Sequence, residues 1–186
     1  NNFIVVATTR PETIMADSAV CIHPQDERYK HINGKKVFIP LINKEIPIIE
    51  DEYVTMDFGT GCLKVTPAHD INDYEIGLRH KLPVTDIIDK WGKLNEDAII
   101  LVGTERFEAR KQIVKMLSEK GFLEKEEDYI SQIGYSERTN AVIEPKLSLQ
   151  WFMRMEDSAS KALKYVEEDK IKLIPEKFRN TYRHWM

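Results

Sequence analysis

A chain of 186 residues, 42% hydrophobic and 31% charged, has room for one large domain, or one domain with an appended element, and can bury a core without disulfide staples. A net charge of −4 with a pI near 5.8 argues against a protein that grips nucleic acid unaided, since such proteins present a basic face. No apolar run approaches the roughly 18 residues of a membrane span, and no basic segment followed by an apolar one opens the chain as an export signal would.

Phe3 to Ala7 is a short apolar, β-branched run and predicts a strand. In Thr8-Thr9-Arg10-Pro11-Glu12-Thr13, Pro11 suits the first position of a helix, with Thr9 or Arg10 in the turn before it. Ser18 to Ile22 returns to strand character. His23 to Asn33 is polar, and Asn33-Gly34 marks a tight turn. Lys36 to Leu41 and Glu45 to Ile49 are short strands, which Pro40 and Pro47 place at edges or ends. Gly59-Thr60-Gly61 is a bend before a strand from Cys62 to Thr66. A helix from Asp70 to about His80 would bury Ile71, Tyr74 and Leu78 on one face. Val84 to Ile88 reads as a strand. Thr104 is the expected cap of a helix through Lys120, ended by Gly121, with Phe107, Val114 and Leu117 as its buried stripe. Ala141 to Met155 mixes strand runs, a further helix spans about Ser158 to Glu168, and Ile171 to Ile174 is a short strand.

Many short strands interrupted by a few helices predict an α+β fold with a β-barrel core, closed or nearly so, and peripheral helices. A composition shift at Ser131-Gln132-Ile133-Gly134 divides a body over residues 1–133 from a returning segment over 134–186. Cys21 and Cys62 lie in separate apolar runs and read as buried free thiols, as in a reducing cytoplasm. The chain opens without an initiator methionine and stops in an aromatic stretch, so a fragment of something larger is expected.

Chemistry concentrates where strands end, in residues 8–13 and 59–73. Lys64 and Thr66 share one face of a strand, because side chains alternate. Asp70 and Asp73 sit one turn apart on the following helix and are expected to face the same way. A cation, a hydroxyl and two carboxylates at a strand-to-helix mouth suit an amino-bearing ligand. The same residues suit two other readings. Asp70 could be a helix N-cap with Asp73 in the first turn and Lys64 snorkelling from an edge. His69, Asp70 and Asp73 could hold a metal, although no second His or Cys group lies nearby. No Gly-x-Ser-x-Gly elbow supports a nucleophilic hydrolase.

The stretch Thr8-Thr9-Arg10-Pro11-Glu12-Thr13 resembles the threonine-rich signature of the editing domains in the valyl, isoleucyl and leucyl class I aminoacyl-tRNA synthetases. Gly59-Thr60-Gly61 followed by Pro67-Ala68-His69-Asp70-x-x-Asp73 resembles their second signature. Lys64-Val65-Thr66 and Asn72-Asp73-Tyr74-Glu75-Ile76-Gly77 are similar to the valyl type, as are Gly134-Tyr135-Ser136-Glu137-Arg138, Glu144-Pro145 and Gln150-Trp151-Phe152. Leucyl- and isoleucyl-type editing domains, and a non-catalytic module that binds aminoacyl ends, are the alternatives. His31-Ile32-Asn33-Gly34 resembles the histidine-glycine signature only superficially, and nothing resembles the lysine-serine loop, so amino-acid activation is not expected here.

The resemblance implies hydrolysis of mischarged threonyl-tRNA(Val) in double-sieve proofreading. Threonine and valine have nearly one shape, and the valyl enzyme is itself the standing example of how weakly an apolar pocket separates them, at about 10²-fold. It implies Lys64, Thr66 and Asp70 around the threonine hydroxyl and Asp73 at the α-ammonium, kept ionised by the helix dipole. Thr8, Thr9, Arg10 and Thr13 would lie near the ester carbonyl and terminal adenosine. Phe58 would wall a pocket or serve as core. The implied partners are the aminoacylated 3′ end of tRNA(Val) and the rest of the synthetase; no metal, cofactor or membrane is implied, and a cytoplasmic monomer is expected.

Overall fold

The computed structural model describes residues 3–186. They divide into two compact units, Asn1–Leu147 and Ser148–Met186. Residues 134–147 thus group with the first unit, whereas the composition shift placed a boundary before them.

Four strands form one mixed sheet. They are β1 (Ala19–Ile22), β2 (Lys36–Ile39), β3 (Lys44–Glu50) and β4 (Cys62–Val65), in the order β2-β3-β1-β4. β1 runs parallel to β3 and antiparallel to β4, and β2 pairs antiparallel with β3. The sheet does not close into the expected barrel: β2 and β4 are its edges, and four strands of four to seven residues are too few to wrap a core. β3 is an interior strand despite Pro47. Residues 44–47 pair with β2 and residues 48–50 pair with β1, so the proline sits where the strand changes partner and a missing N–H costs least.

β1 is buried at every position and has a core on each face. Val20 and Ile22 join the larger cluster with Ile46, Ile48, Ile87 and Ile113. Ala19 and Cys21 join the smaller one with Val54, Val65 and Ile76. This is the two-residue period of a strand covered on both sides. The run Phe3–Ala7 forms no strand. Ile4 and Val6 instead pack against the larger cluster from irregular backbone, which shows β-branched composition reporting burial more than ladder pairing. Val84–Ile88 contributes only a bridge from Ile88 to Leu94, and Ile171–Ile174 forms no strand.

Helix α1 spans Ile71–His80, with Asp70 as its N-cap. Its inward face is Asp73, Ile76 and Gly77, while Ile71 and Leu78 are exposed, the reverse of the expected stripe. Gly77 helps to set that rotation: a Cβ there would meet Pro67 Cγ at 2.9 Å, so the helix lies against the end of β4 only with glycine at this point. Helix α2 spans Arg106–Glu119; its cap is Glu105, not Thr104, and its buried positions are Ala109, Ile113 and Leu117. A 3-10 helix, Pro11–Ala16, begins at Pro11 as expected and is buried from Glu12 onward.

In the second unit, α3 (Glu156–Glu167) and α4 (Phe178–Trp185) are joined through Arg179. Its guanidinium donates to the carbonyls of Val166 and Glu167 at 2.8 and 2.9 Å, satisfying the C-terminal end of α3. No described helix is long and apolar enough to cross a membrane.

Candidate functional site

The two polar stretches meet. Lys64, on the same face of β4 as Cys62, has its ammonium group buried beside the 3-10 helix. It donates to Thr13 Oγ1 at 3.1 Å, Asp17 Oδ1 at 2.9 Å and Thr66 Oγ1 at 2.5 Å, which engages all three of its donors. Thr66 Oγ1 in turn donates to Asp17 Oδ1 at 2.6 Å. Thr13 Oγ1 donates to the carbonyl of Arg10 at 3.0 Å. Lys64 and Thr66 thus share a face, as alternation predicts. Burial pushes the Asp17 carboxyl above its usual range, against the pull of Lys64 and Thr66.

The two aspartates of the α1 start part company. Asp70 is exposed and serves as the cap: its Oδ1 accepts from the backbone N–H groups of Asn72 and Asp73 at 2.8 and 3.1 Å. Asp73 turns inward, 8% exposed. Its Oδ2 accepts the Thr66 N–H at 2.8 Å, fastening the helix to the end of β4. The expected common face is absent because a cap residue stands outside the helical turn it closes. Burial pushes the Asp73 carboxyl up to about 6, so the helix dipole does not dominate its ionisation as expected. Among the described residues no cation pairs with it within 4.0 Å.

A second polar layer lies at Arg10. Its guanidinium donates from Nη1 to the carbonyl of His69 at 2.9 Å, from Nη2 to Glu144 Oε1 at 2.5 Å and from Nε to Glu12 Oε1 at 3.3 Å. Glu12 is fully buried and also receives a bidentate pair from Arg110 at 2.7 and 2.8 Å. Burial pushes the Glu12 carboxyl up, but Arg110, with a backbone hydrogen bond and the charge of Arg10, holds the group below its usual range. The His69 ring is buried, and burial drops it to about 4, so it is neutral at physiological pH. Its Nε2 accepts the Ile87 N–H at 3.2 Å, which leaves the proton on Nδ1.

Thr8 and Thr9 are exposed at the rim. Thr8 Oγ1 accepts the Arg10 N–H at 3.0 Å, fixing the turn into the 3-10 helix. Phe58, 67% exposed, is no core residue. Gly59 brings its loop against the first stretch: a Cβ on it would lie 3.3 Å from that of Ala7, and its φ of +58° favours glycine. Cys21 and Cys62 are buried free thiols, and burial pushes Cys21 up to about 12. Among the described residues no cluster of three His, Cys, Asp or Glu side chains is arranged to hold a metal ion.

Sequence reasoning missed Glu12, Asp17, Arg106, Arg110 and Glu144. Asp17 carried a signal, as a charge between the apolar pairs Ile14-Met15 and Ala19-Val20. Glu144 stood out only within the Glu144-Pro145 resemblance, and nothing in the sequence pairs it with Arg10, because only the fold brings the two together.

The chain is also similar to known proteins. A family model described as the leucyl-tRNA synthetase editing domain matches residues 24–115. Valine–tRNA ligase of Porphyromonas gingivalis is 56% identical over 186 residues, 100% of this chain and 21% of that protein. Valine–tRNA ligase of Parabacteroides distasonis is 58% identical over 184 residues, 99% of this chain and 21% of that one. The chain is thus similar to a synthetase editing-domain family over just under half of its length and to part of the valine–tRNA ligases over essentially all of it. It spans about a fifth of the length of these valine–tRNA ligases. The crystal structure of GlLeuRS-CP1 shares the fold, with a TM-score of 0.52 and 12% identity over 68% of this chain and 83% of that chain. Both valine–tRNA ligases match this chain from end to end, or nearly so.

Proposed function

We propose that this chain is an editing domain that hydrolyses the ester of threonyl-tRNA(Val) after transfer, releasing threonine and free tRNA. The observation that carries the reading is Asp73. It is a buried carboxylate held by the Thr66 N–H, with no cation within 4.0 Å among the described residues, and Thr66 in turn bonds to Lys64, which reaches the first signature stretch at Thr13. A substrate α-ammonium loses water on entering such a mouth and needs a fixed counter-charge. Asp73 supplies it and gains the cation it lacks.

Thr8, Thr9, Arg10 and Phe58 form the rim that receives the ester carbonyl and terminal adenosine, with Thr13 beneath them. Lys64, Thr66 and Asp70 serve hydroxyl recognition. Lys64 donates to three groups already, so a threonyl hydroxyl is read by exchange with one of those acceptors. Valine offers no oxygen for that exchange, and each buried polar group it leaves unpaired costs about 1–3 kcal/mol.

In the reaction a water oxygen bonds to the ester carbon and the bond from that carbon to the ribose oxygen breaks. The ribose oxygen takes a proton and threonine leaves as the free acid. The adjacent ribose hydroxyl is the candidate to relay the water's proton. Positioning and hydrogen bonds to the developing oxyanion supply the catalysis, and the reading uses no metal or cofactor. The partners it implies are the aminoacylated tRNA end and the rest of the ligase chain, in a cytoplasmic monomer.

The test is deacylation of threonyl-tRNA(Val) and valyl-tRNA(Val) by the purified chain, with and without EDTA. The expected result is faster loss of threonine, unchanged by the chelator. Binding of an aminoacyl-adenosine analogue without hydrolysis would establish a binding module instead. Equal rates for both esters would end the specificity reading.

A further inference from the structure

Glu144 is 134 residues from Arg10 in sequence, yet the two share a 2.5 Å ion pair. The segment that delivers Glu144 is built for the purpose. Tyr135 and Val142 bridge, and Ile143 N–H donates to the Gly134 carbonyl at 2.9 Å, making a small hairpin whose exit is Glu144. Three residues of this strap, Val142, Glu144 and Lys146, pin it to the body. Arg106 Nη2 donates to the Val142 carbonyl at 3.1 Å. Glu144 Oε2 lies 3.2 Å from Arg106 Nε while Oε1 holds Arg10. Lys146 pairs with Asp86 at 2.7 Å and donates to the Ile88 carbonyl. Of these three, only the Glu144 contact reaches a signature residue.

Arg10 needs such a hold. Its guanidinium is 25% exposed, and its other carboxylate partner, Glu12, is shared with Arg110 and meets it only at Nε. Without Glu144, Arg10 and Arg106 would face each other across the vacated place as like charges. With it, three guanidinium groups share two carboxylates, Glu12 and Glu144. Arg10, whose backbone N–H donates to Thr8 Oγ1, is then held beside the exposed Thr8-Thr9 rim, where an ester oxyanion or a terminal phosphate oxygen would arrive.

We infer that Glu144 is a positioning residue of the editing site, acting through Arg10: the strap over residues 134–147 completes the site by fixing the guanidinium. The inference rests on the proposed deacylation for its catalytic consequence. Misplacement of a catalytic-site group by about 1 Å costs on the order of 10²-fold in rate. Glu144→Gln keeps the shape and removes the charge.

The experiment compares the chain with its Glu144→Gln, Arg10→Ala and double variants, and with Lys146→Ala, which removes a neighbouring contact that does not reach Arg10 and leaves the Glu144 and Val142 contacts in place. The Nε–H resonance of Arg10, followed by NMR in the protein alone, is expected to be ordered in the wild type and in Lys146→Ala, and to lose order in Glu144→Gln. The deacylation kcat is expected to fall on the order of 10²-fold in Glu144→Gln, to stay within about twofold in Lys146→Ala, and to fall no further in the double variant than in Arg10→Ala. Melting temperatures establish that each variant folds. An Arg10 resonance that stays ordered in folded Glu144→Gln, or rate losses that multiply in the double variant, would overturn the inference. Wild-type protein that does not deacylate sinks the functional reading alone, and the resonance then decides this one.

Discussion

The knot around Lys64 and the first turn of α1 share Thr66 but treat charge in opposite ways. In the knot, an ammonium and the Asp17 carboxylate are buried together and every ammonium donor is used. In the helix turn, Asp73 is nearly as buried, yet its one bond is to a neutral N–H and burial lifts its pKa to about 6. A closed circuit of partners can take a ligand only by giving up one of its own bonds; a buried carboxylate with no cation among the described residues can take one without such an exchange.

The largest stability effect should come from opening the knot. Lys64→Met leaves Asp17 buried without its cation and should cost about 3–5 kcal/mol, read by urea unfolding. Adding Asp17→Leu should restore much of it, because an apolar pair can replace a buried ion pair. Failure of the double variant to recover would mean that the knot specifies the fold as well as satisfying itself.

Asp73 should behave in the opposite sense. Its folded-state pKa of about 6 lies above its unfolded value, so the native state holds the proton more tightly. Ionisation therefore penalises the fold above pH 6, and the penalty is relieved as pH falls through 6 toward about 4. Asp73→Asn keeps the acceptor for the Thr66 N–H. It should be more stable than wild type at neutral pH, by on the order of 2–3 kcal/mol, with the difference vanishing near pH 4. His69 titrates the other way: its folded pKa of about 4 lies below its unfolded value, so it contributes stability that is lost as pH drops from about 6.5 toward 4. The two slopes oppose each other in wild type, and Asp73→Asn should expose the histidine's acid loss.

The smallest effect belongs to Asp70. As an exposed cap, its change to alanine should cost about 1 kcal/mol, measurable by thermal melting. A loss of several kcal/mol would place it in the buried network instead.

Much of this geometry was legible in the sequence. The strand-to-helix mouth, the Asp70 cap and the shared face of Lys64 and Thr66 follow from periodicity over a few residues. The inward turn of Asp73, the exposure of Ile71 and Leu78, and the partner switch of β3 at Pro47 do not. Each depends on a long-range contact, such as Gly77 against Pro67, that fixes which side of an element faces the body. The mixed sheet with peripheral helices was legible, but closure into a barrel was not met for a related reason: strand-like composition at Phe3–Ala7 and Val84–Ile88 reported packing by Ile4, Val6, Ile87 and Ile88, and packing does not require a ladder. The knot's acid, Asp17, and the strap's Glu144 were invisible as partners, because their bonds join residues far apart in the chain.

The most direct measurement is single-turnover hydrolysis of threonyl-tRNA(Val) by wild type and Asp73→Asn at neutral pH, with the melting temperature of each. Wild type should clear the ester. The folded variant should be slower by on the order of 10²-fold or more, the equivalent of about 3 kcal/mol for an ammonium left without its carboxylate. A folded Asp73→Asn protein that hydrolyses the ester at the wild-type rate would contradict the account and return Asp73 to a purely structural role at the start of α1.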